Sequence, residues 1–328
     1  MPTQALPLHA IDRTEQLRTS FETTYTWDYQ TGRADLRTLY EKAKRGQWNA
    51  ALDMAWATDV DPEAELVPDM NIPIYGTRLW DRLTKREIER LRHENLSWTL
   101  SQFLHGEQGA LLVSAQVVDA TPEIDAKLYG ATQVMDEGRH VEVYERYLRE
   151  KLQKTYGINQ HLKTLIDAIL TDTRWDFKYL GMQIMVEGLA LAAFRTIHQL
   201  TSEPLLRDIT EHVIGDEARH VAFGVMALRG LYGDMPEAHR REREEFLYEG
   251  CRLMRDRLIA EDVWETMGLP VAECVELALA SDLMKEFRRM LFSRIVPNVK
   301  RLGLLSPWLR ERFSELEILQ FEDFPADA

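Results

Sequence analysis

Asp136-Glu137-Gly138-Arg139-His140 and Asp216-Glu217-Ala218-Arg219-His220 are two five-residue stretches, 80 residues apart and identical at four positions. The same offset relates Glu107 to Glu187, each standing 30 residues before its Glu-x-x-His pair. No other Glu-x-x-His occurs in the chain. Residues three apart on a helix lie about one turn apart along the axis and on nearly the same side. Glu137 and His140 can therefore reach one point from one helix, as Glu217 and His220 can from another. One Glu and one Glu-x-x-His per half are the ligand set of a two-metal carboxylate centre inside a helical bundle. The candidate metal ligands are Glu107, Glu137, His140, Glu187, Glu217 and His220.

The surroundings of Glu187 supply a separate argument. It sits in GMQIMVEGLALAAF, residues 181–194, apolar on almost every side. A lone buried carboxylate costs several kcal/mol unless it is neutralised, paired or bound to a cation. Glu107, in FLHGEQGALLVSAQVV, shows the same anomaly less sharply. Oxygen and nitrogen donors without cysteine suit iron, and four carboxylates balance two divalent cations in charge. A metal-bound histidine commonly donates its other N–H to a carboxylate. Asp216 would then orient His140, and Asp136 would orient His220, unless both are surface acids. Arg139 and Arg219 pair with buried acids or are solvated.

Outward from the motifs, helix periodicity dominates and strand alternation is scarce. Residues 1–34 read as a polar arm over the body. A short helix is expected at 36–45, then a loop carrying Asp59, Asp61, Pro62, Pro68 and Pro73. Thr84 begins a long helix closed by Thr121-Pro122, and further helices fit 123–152, 160–170, 175–200 and 203–231. The patterns at 237–267, 270–302 and 307–319 add flanking helices. No low-complexity linker divides the chain. The expectation is one all-α domain: a metal-binding core at 84–232, then C-terminal helices at 237–319.

Composition narrows the function. The 328 residues are 45% hydrophobic and 29% charged, as in an ordinary globular protein. A net charge of −14 disfavours a nucleic-acid partner, because phosphate binding needs a basic surface. The N-terminal segment lacks the pattern of a signal peptide. The longest apolar candidate, residues 181–197, is interrupted by Glu187 and Arg195, so no membrane span is expected. Cys251 and Cys274 lack metal-ligand spacing and argue against a disulfide framework. The expected compartment is the cytoplasm.

Through these motifs the chain resembles the ferritin-like di-iron carboxylate superfamily. That group includes ribonucleotide reductase small subunits, multicomponent monooxygenase hydroxylases, acyl-carrier-protein desaturases and arylamine N-oxygenases. The resemblance covers roughly residues 85–230 and implies a four-helix-bundle core with two iron ions, or manganese with iron, and O2 as co-substrate. It also implies a small-molecule or carrier-tethered substrate, an external electron donor such as a ferredoxin or reductase, and a homodimer. Hydroxylation, desaturation and N-oxygenation are all open.

Gln47-Trp48-Asn49 is similar to the early tryptophan region of reductase small subunits, where a tryptophan can join a radical relay. Ordinary packing is the alternative role for Trp48. Tyr144, one turn beyond His140, stands at the spacing of the reductase radical tyrosine, or is simply packed near the site. Its repeat mate is Gly224. With Gly106, Gly109, Gly188 and Ala190, that glycine either leaves room for substrate or permits close packing. Arylamine N-oxygenases add a third histidine ligand one turn before the last glutamate. Here that position is Val213, a departure from the pattern, and His212 points elsewhere. His105 and His198 read as structural. The leading reading is a di-iron oxygenase; the alternatives are a reductase-like radical generator, and iron storage or O2 carriage.

Overall fold

The computed structural model describes residues 14–326, and the regular structure among them is helical throughout. The first part of the arm expected at 1–34 lies outside those residues. From Thr14 to Arg33 the chain runs without helix along the turn between the first two long helices. Thr24 N donates to Asp119 O at 3.0 Å and Thr26 Oγ1 to Pro122 O at 2.6 Å. Helix α1, Ala34–Arg45, follows.

Four helical stretches form the core. Helix α2, Lys85–Ala120, is opened by a reciprocal cap in which Thr84 and Glu87 satisfy each other's backbone N–H. Its 36 residues span about 54 Å. Helix α3, Ile124–Tyr147, returns antiparallel to it. The short α4, Gln160–Thr171, is capped by Asn159. The third core stretch is α5, Trp175–Tyr179, a π-wound segment, Leu180–Val186, and α6, Glu187–Leu200. The fourth is α7, Pro204–Leu228, where Glu203 accepts from the N–H groups of Leu205 and Leu206.

Periodicity at 175–200 predicts one helix but not its widened middle. The π-wound segment ends at Glu187 and so sets the direction in which that side chain leaves the helix; such segments often mark functional sites. Trp175–Leu200 is long and apolar enough to cross a membrane by length and composition, yet 72% of its apolar window is buried inside the protein. It serves as a core helix.

The C-terminal patterns break more often than expected. The stretch 237–267 divides into α8, Glu237–Asp256, and α9, Glu261–Met267, around Ala260 at φ 54°. The stretch 270–302 becomes α10, Val271–Ala280, α11, Asp282–Met290, and α12, Ile295–Arg301. Ser281 makes the second break by accepting from Met284 N at 3.4 Å, a capping role that apolar spacing does not reveal. Helix α13 is Pro307–Glu315. A smaller apolar cluster around Trp98, Val263 and Trp264 joins α9 to α2, beside the main core.

Close packing explains most of the small residues near the motif. A Cβ at Gly224 would sit 2.5 Å from Gln183 Cβ, and one at Gly109 would sit 2.6 Å from Ile166 Cδ1. At Gly188 it would meet Ile295 at 3.1 Å. Gly106 meets nothing within 4 Å. Gly224→Ala should therefore destabilise the protein by about 1–3 kcal/mol through overpacking. Gly106→Ala should be neutral or gain up to about 1 kcal/mol from helix propensity. Denaturant unfolding of the two variants checks the contrast; equal effects would refute it.

Candidate metal centre

The four core stretches bring the six predicted ligands together. Glu107 comes from α2, Glu137 and His140 from α3, Glu187 from the start of α6, and Glu217 and His220 from α7. None is more than 4% exposed. They form two groups whose ligand atoms lie within 4.8 Å of one another: Glu107, Glu137, His140 and Glu217, then Glu137, Glu187, Glu217 and His220. Glu137 and Glu217 belong to both groups. Glu107 and Glu187 belong to one each.

Both imidazoles turn Nδ1 inward. His140 Nδ1 lies 3.1 Å from Glu217 Oε1, 3.2 Å from Glu107 Oε2 and 3.4 Å from Glu137 Oε2. His220 Nδ1 lies 3.2 Å from Glu137 Oε1 and 3.5 Å from Glu217 Oε2. The outer nitrogens meet the aspartates crosswise: His140 Nε2 is 3.2 Å from Asp216 Oδ2, and His220 Nε2 is 3.3 Å from Asp136 Oδ2. Both aspartates are buried, not surface acids.

Two arginines close this outer layer. Arg139 donates to Asp136 Oδ1 at 2.5 Å and to Asp216 Oδ2 at 3.2 Å. Arg219 binds Asp216 and lies 3.6 Å from Asp136. Two aspartates and two arginines cancel in charge, so the inner four carboxylates are left to be balanced separately.

The donor set fits two divalent cations. Each group offers three carboxylates and one imidazole, the hard and borderline donors that iron and manganese take. Buried Glu137 Oε2, both Glu217 oxygens and His220 Nδ1 lack hydrogen-bond partners, an arrangement costly in a dry interior unless a cation takes those lone pairs. Two of the four carboxyls, Glu137 and Glu217, are pushed toward their protonated form. Burial and neighbouring Glu187 raise the Glu217 carboxyl to about 8 and push Glu137 well above its ordinary range. Burial would raise Glu187 too, but the neighbouring Glu217 carboxyl and the His220 imidazole, 3.6 Å away, hold it down at about 2.

Trp48 donates from Nε1 to Asp216 Oδ2 at 2.8 Å, and Arg139 lies over its ring. A hydrogen-bonded line thus runs from Trp48 through Asp216 to His140. On the same helix as His140, Tyr144 is fully buried against Phe103 and Phe194, and its hydroxyl has no hydrogen-bond partner. Burial, then the charge of Glu107, raises its pKa well above the usual range.

His212 packs on Trp48 and reaches its own helix at Asp208 O, while Val213 is buried. His105 meets Tyr156 O at 2.9 Å and His198 meets Arg207 O at 3.1 Å. None of the three joins the cluster.

Three glutamines escape the sequence reading. Gln47 donates to Asp136 Oδ1 at 3.0 Å and accepts from Arg139 at 2.5 Å. Gln133 donates to Glu137 Oε1 at 2.9 Å and Glu187 Oε1 at 3.1 Å. Gln183, in the π-wound segment, donates to Gln133 Oε1 at 3.3 Å. Gln133 was findable: it lies one turn before Glu137 and is the repeat mate of Val213. A cavity of about 20 Å³ adjoins Glu107 and Glu187, bounded also by Gly106 and Ala190. It has room for about one water-sized molecule.

Residues 30–303 match the family described as p-aminobenzoate N-oxygenase AurF. No curated protein gives a significant match. Among solved structures, the chain is similar to R2-like ligand-binding oxidase with aerobically reconstituted metal cofactor after photoconversion. Identity is 18%, over 88% of this chain and 93% of that one, with a TM-score of 0.47. A variant of that oxidase with anaerobically reconstituted Mn/Fe cofactor gives 19% identity, 85% and 94% coverage, and a TM-score of 0.47.

Proposed function

Because this chain belongs to the p-aminobenzoate N-oxygenase AurF family, and is thus an O2-dependent di-iron oxidoreductase, we propose that its six buried ligands hold the metal pair and that it oxygenates a small organic amine. The membership stands although Val213 occupies the place where arylamine N-oxygenases carry a third histidine, so the departure separates this chain within the family and not from it. The observation that carries the reading is the pair of four-residue groups sharing Glu137 and Glu217 in a water-poor core. Manganese in place of one iron is compatible with the same donors.

A bound iron pair supplies reductive activation of O2, with one oxygen atom passing to the amine and the other leaving as water. The rest of the work falls to the chain. Glu137 and Glu217, which belong to both four-residue groups, would help hold both ions, and Glu107 and Glu187 would each help hold one. Asp216 and Asp136 fix the imidazoles, turning each Nδ1 inward. Gln133 holds Glu187 against Glu137 through one amide. Phe103, Phe194 and Val186 keep bulk water from the small cavity at Glu107 and Glu187, where the oxidised group would approach.

Two electrons and two protons per turnover must enter from outside. The sequence has no Gly-x-Gly-x-x-Gly after a strand, so we assign them to a separate ferredoxin or reductase. A homodimer and a cytoplasmic setting complete the reading. The whole chain acts as one unit, because α8 and α12 pack directly on the core stretch that carries Glu187.

A second reading, a radical-generating oxidase, draws on the line Trp48–Asp216–His140 with Tyr144 one turn away. One experiment separates the two. Metal-free protein is loaded anaerobically with ferrous iron, O2 is admitted, and oxygen uptake and electron spin resonance are followed. Uptake that accelerates with an added amine, without a persistent organic radical, is the expected result. A stable radical absent from Tyr144→Phe would transfer the assignment to the second reading. Absence of O2 uptake by fully iron-loaded protein would remove both.

A further inference from the structure

Arg257 follows α8 and lines two cavities. It is 6% exposed, yet its guanidinium makes no hydrogen bond or ion pair among the described residues, and its buried Nε has no partner. Other buried arginines differ: Arg139 binds two aspartates, Arg243 binds Asp176, and Arg288 donates to Ala278 O. Burial lowers the Arg257 guanidinium to about 10, so it remains a cation at neutral pH. An unpaired buried cation is a standing cost unless a counter-charge arrives.

The inner of the two cavities is the small one beside Glu107 and Glu187. The outer has a volume of about 390 Å³, within the range of about 300–1,000 Å³ that holds small-molecule ligands. Phe103 and Arg257 line both. Leu189, Ala193, Ile197 and Phe287 give the outer cavity apolar walls, and half-exposed Met70 and Met290 stand at its rim. Its other charged lining groups are engaged: Arg92 holds Asp69 at 2.6 and 2.7 Å, and Glu286 pairs with Arg289. Apolar walls around one uncommitted cation describe a receptor for a molecule with an apolar body and one negative charge.

We propose that the outer cavity binds an organic anion, its carboxylate held by Arg257 at the neck and its apolar body filling the space toward Met70 and Met290. The part of such a molecule that passes the neck toward Glu107 and Glu187 must be small, because the inner space is. Calling this molecule the substrate rests on the oxygenase reading; the anion site itself does not.

The test uses the full chain without metal. Binding of phenylbutyrate and of its uncharged isostere phenylbutanamide is measured by calorimetry for wild type, Arg257→Met and Arg257→Lys. Wild type should prefer the carboxylate by about tenfold or more, as expected for hydrogen bonds to a charged group. Arg257→Met should bind both alike, and Arg257→Lys should keep part of the preference. Without ligand, Arg257→Met should also melt at a higher temperature than wild type, because it removes the unpaired charge. No preference in wild type, no binding of either probe, or a preference that survives in Arg257→Met would overturn the proposal. If Arg257→Met does not fold, the wild-type preference and Arg257→Lys still decide. With no iron present, a failed anion preference leaves the oxygenase reading standing, and a failed O2 reaction leaves the anion site standing.

Discussion

Glu217→Ala should strip the protein of both metal ions, whereas Glu107→Ala should leave about one. The difference comes from geometry and not from residue type. Glu217 offers oxygens to both four-residue groups, but Glu107 reaches only the one that contains His140. Glu137→Ala should resemble Glu217→Ala, and Glu187→Ala should resemble Glu107→Ala with the His220 group lost. Metal per chain after iron loading and desalting is the direct measurement. Thermal stability gives a second reading, because a ligand at one hundred times its dissociation constant adds about 2.7 kcal/mol per site. Iron should therefore raise the melting temperature strongly in wild type, less in Glu107→Ala and not at all in Glu217→Ala. Equal iron contents in the two variants would show that the cluster does not divide into two sites sharing an edge.

The second large effect is expected at a residue that touches no metal. Asp216 accepts from Trp48, binds Arg139 and Arg219, and meets His140 Nε2. In Asp216→Ala, the buried Arg139 guanidinium, the part-buried Arg219 guanidinium and an imidazole lose a common counter-charge. Breaking a buried ion pair on one side typically costs about 3–5 kcal/mol. Loss of the carboxylate behind a ligating histidine typically weakens metal binding about 10- to 100-fold. Both should appear together, in urea unfolding of the metal-free variant and in competition with a chelator. Asp216→Asn keeps an acceptor for Trp48 and the size of the side chain, so it should fall between alanine and wild type. A variant that unfolds more readily but binds metal normally would make Asp216 a structural ion-pair residue and nothing more.

Tyr144 and Gly224 show how far the repeat can be trusted. They occupy matching places in the two halves, but the halves are not interchangeable. Tyr144 fills space against Phe103 and Phe194, whereas Gly224 lets α7 approach the π-wound segment at Gln183. Gln133 and Val213 are the same kind of pair: one binds two ligand carboxylates, the other is apolar filling. The repeat places ligands symmetrically while the layer behind them is built differently on each side.

The sequence by itself determined the all-helical bundle and the six candidate ligands, and offered the crosswise pairing of aspartates with histidines as one of two readings. These are legible because helix geometry is local: a spacing of three residues fixes which side chains share a face, and an isolated carboxylate in an apolar run announces its own cost. Tertiary structure alone decided which glutamates belong to both four-residue groups, where the π-wound segment places Glu187, and that Gln47, Gln133 and Gln183 join the network. It also decided that Arg257 has no partner beside an apolar cavity, a fact that needs the loop at 64–73, α2, α6 and α11 to be in place together. Such features depend on residues far apart in sequence meeting at distances of a few ångström, and no periodicity along the chain encodes those meetings.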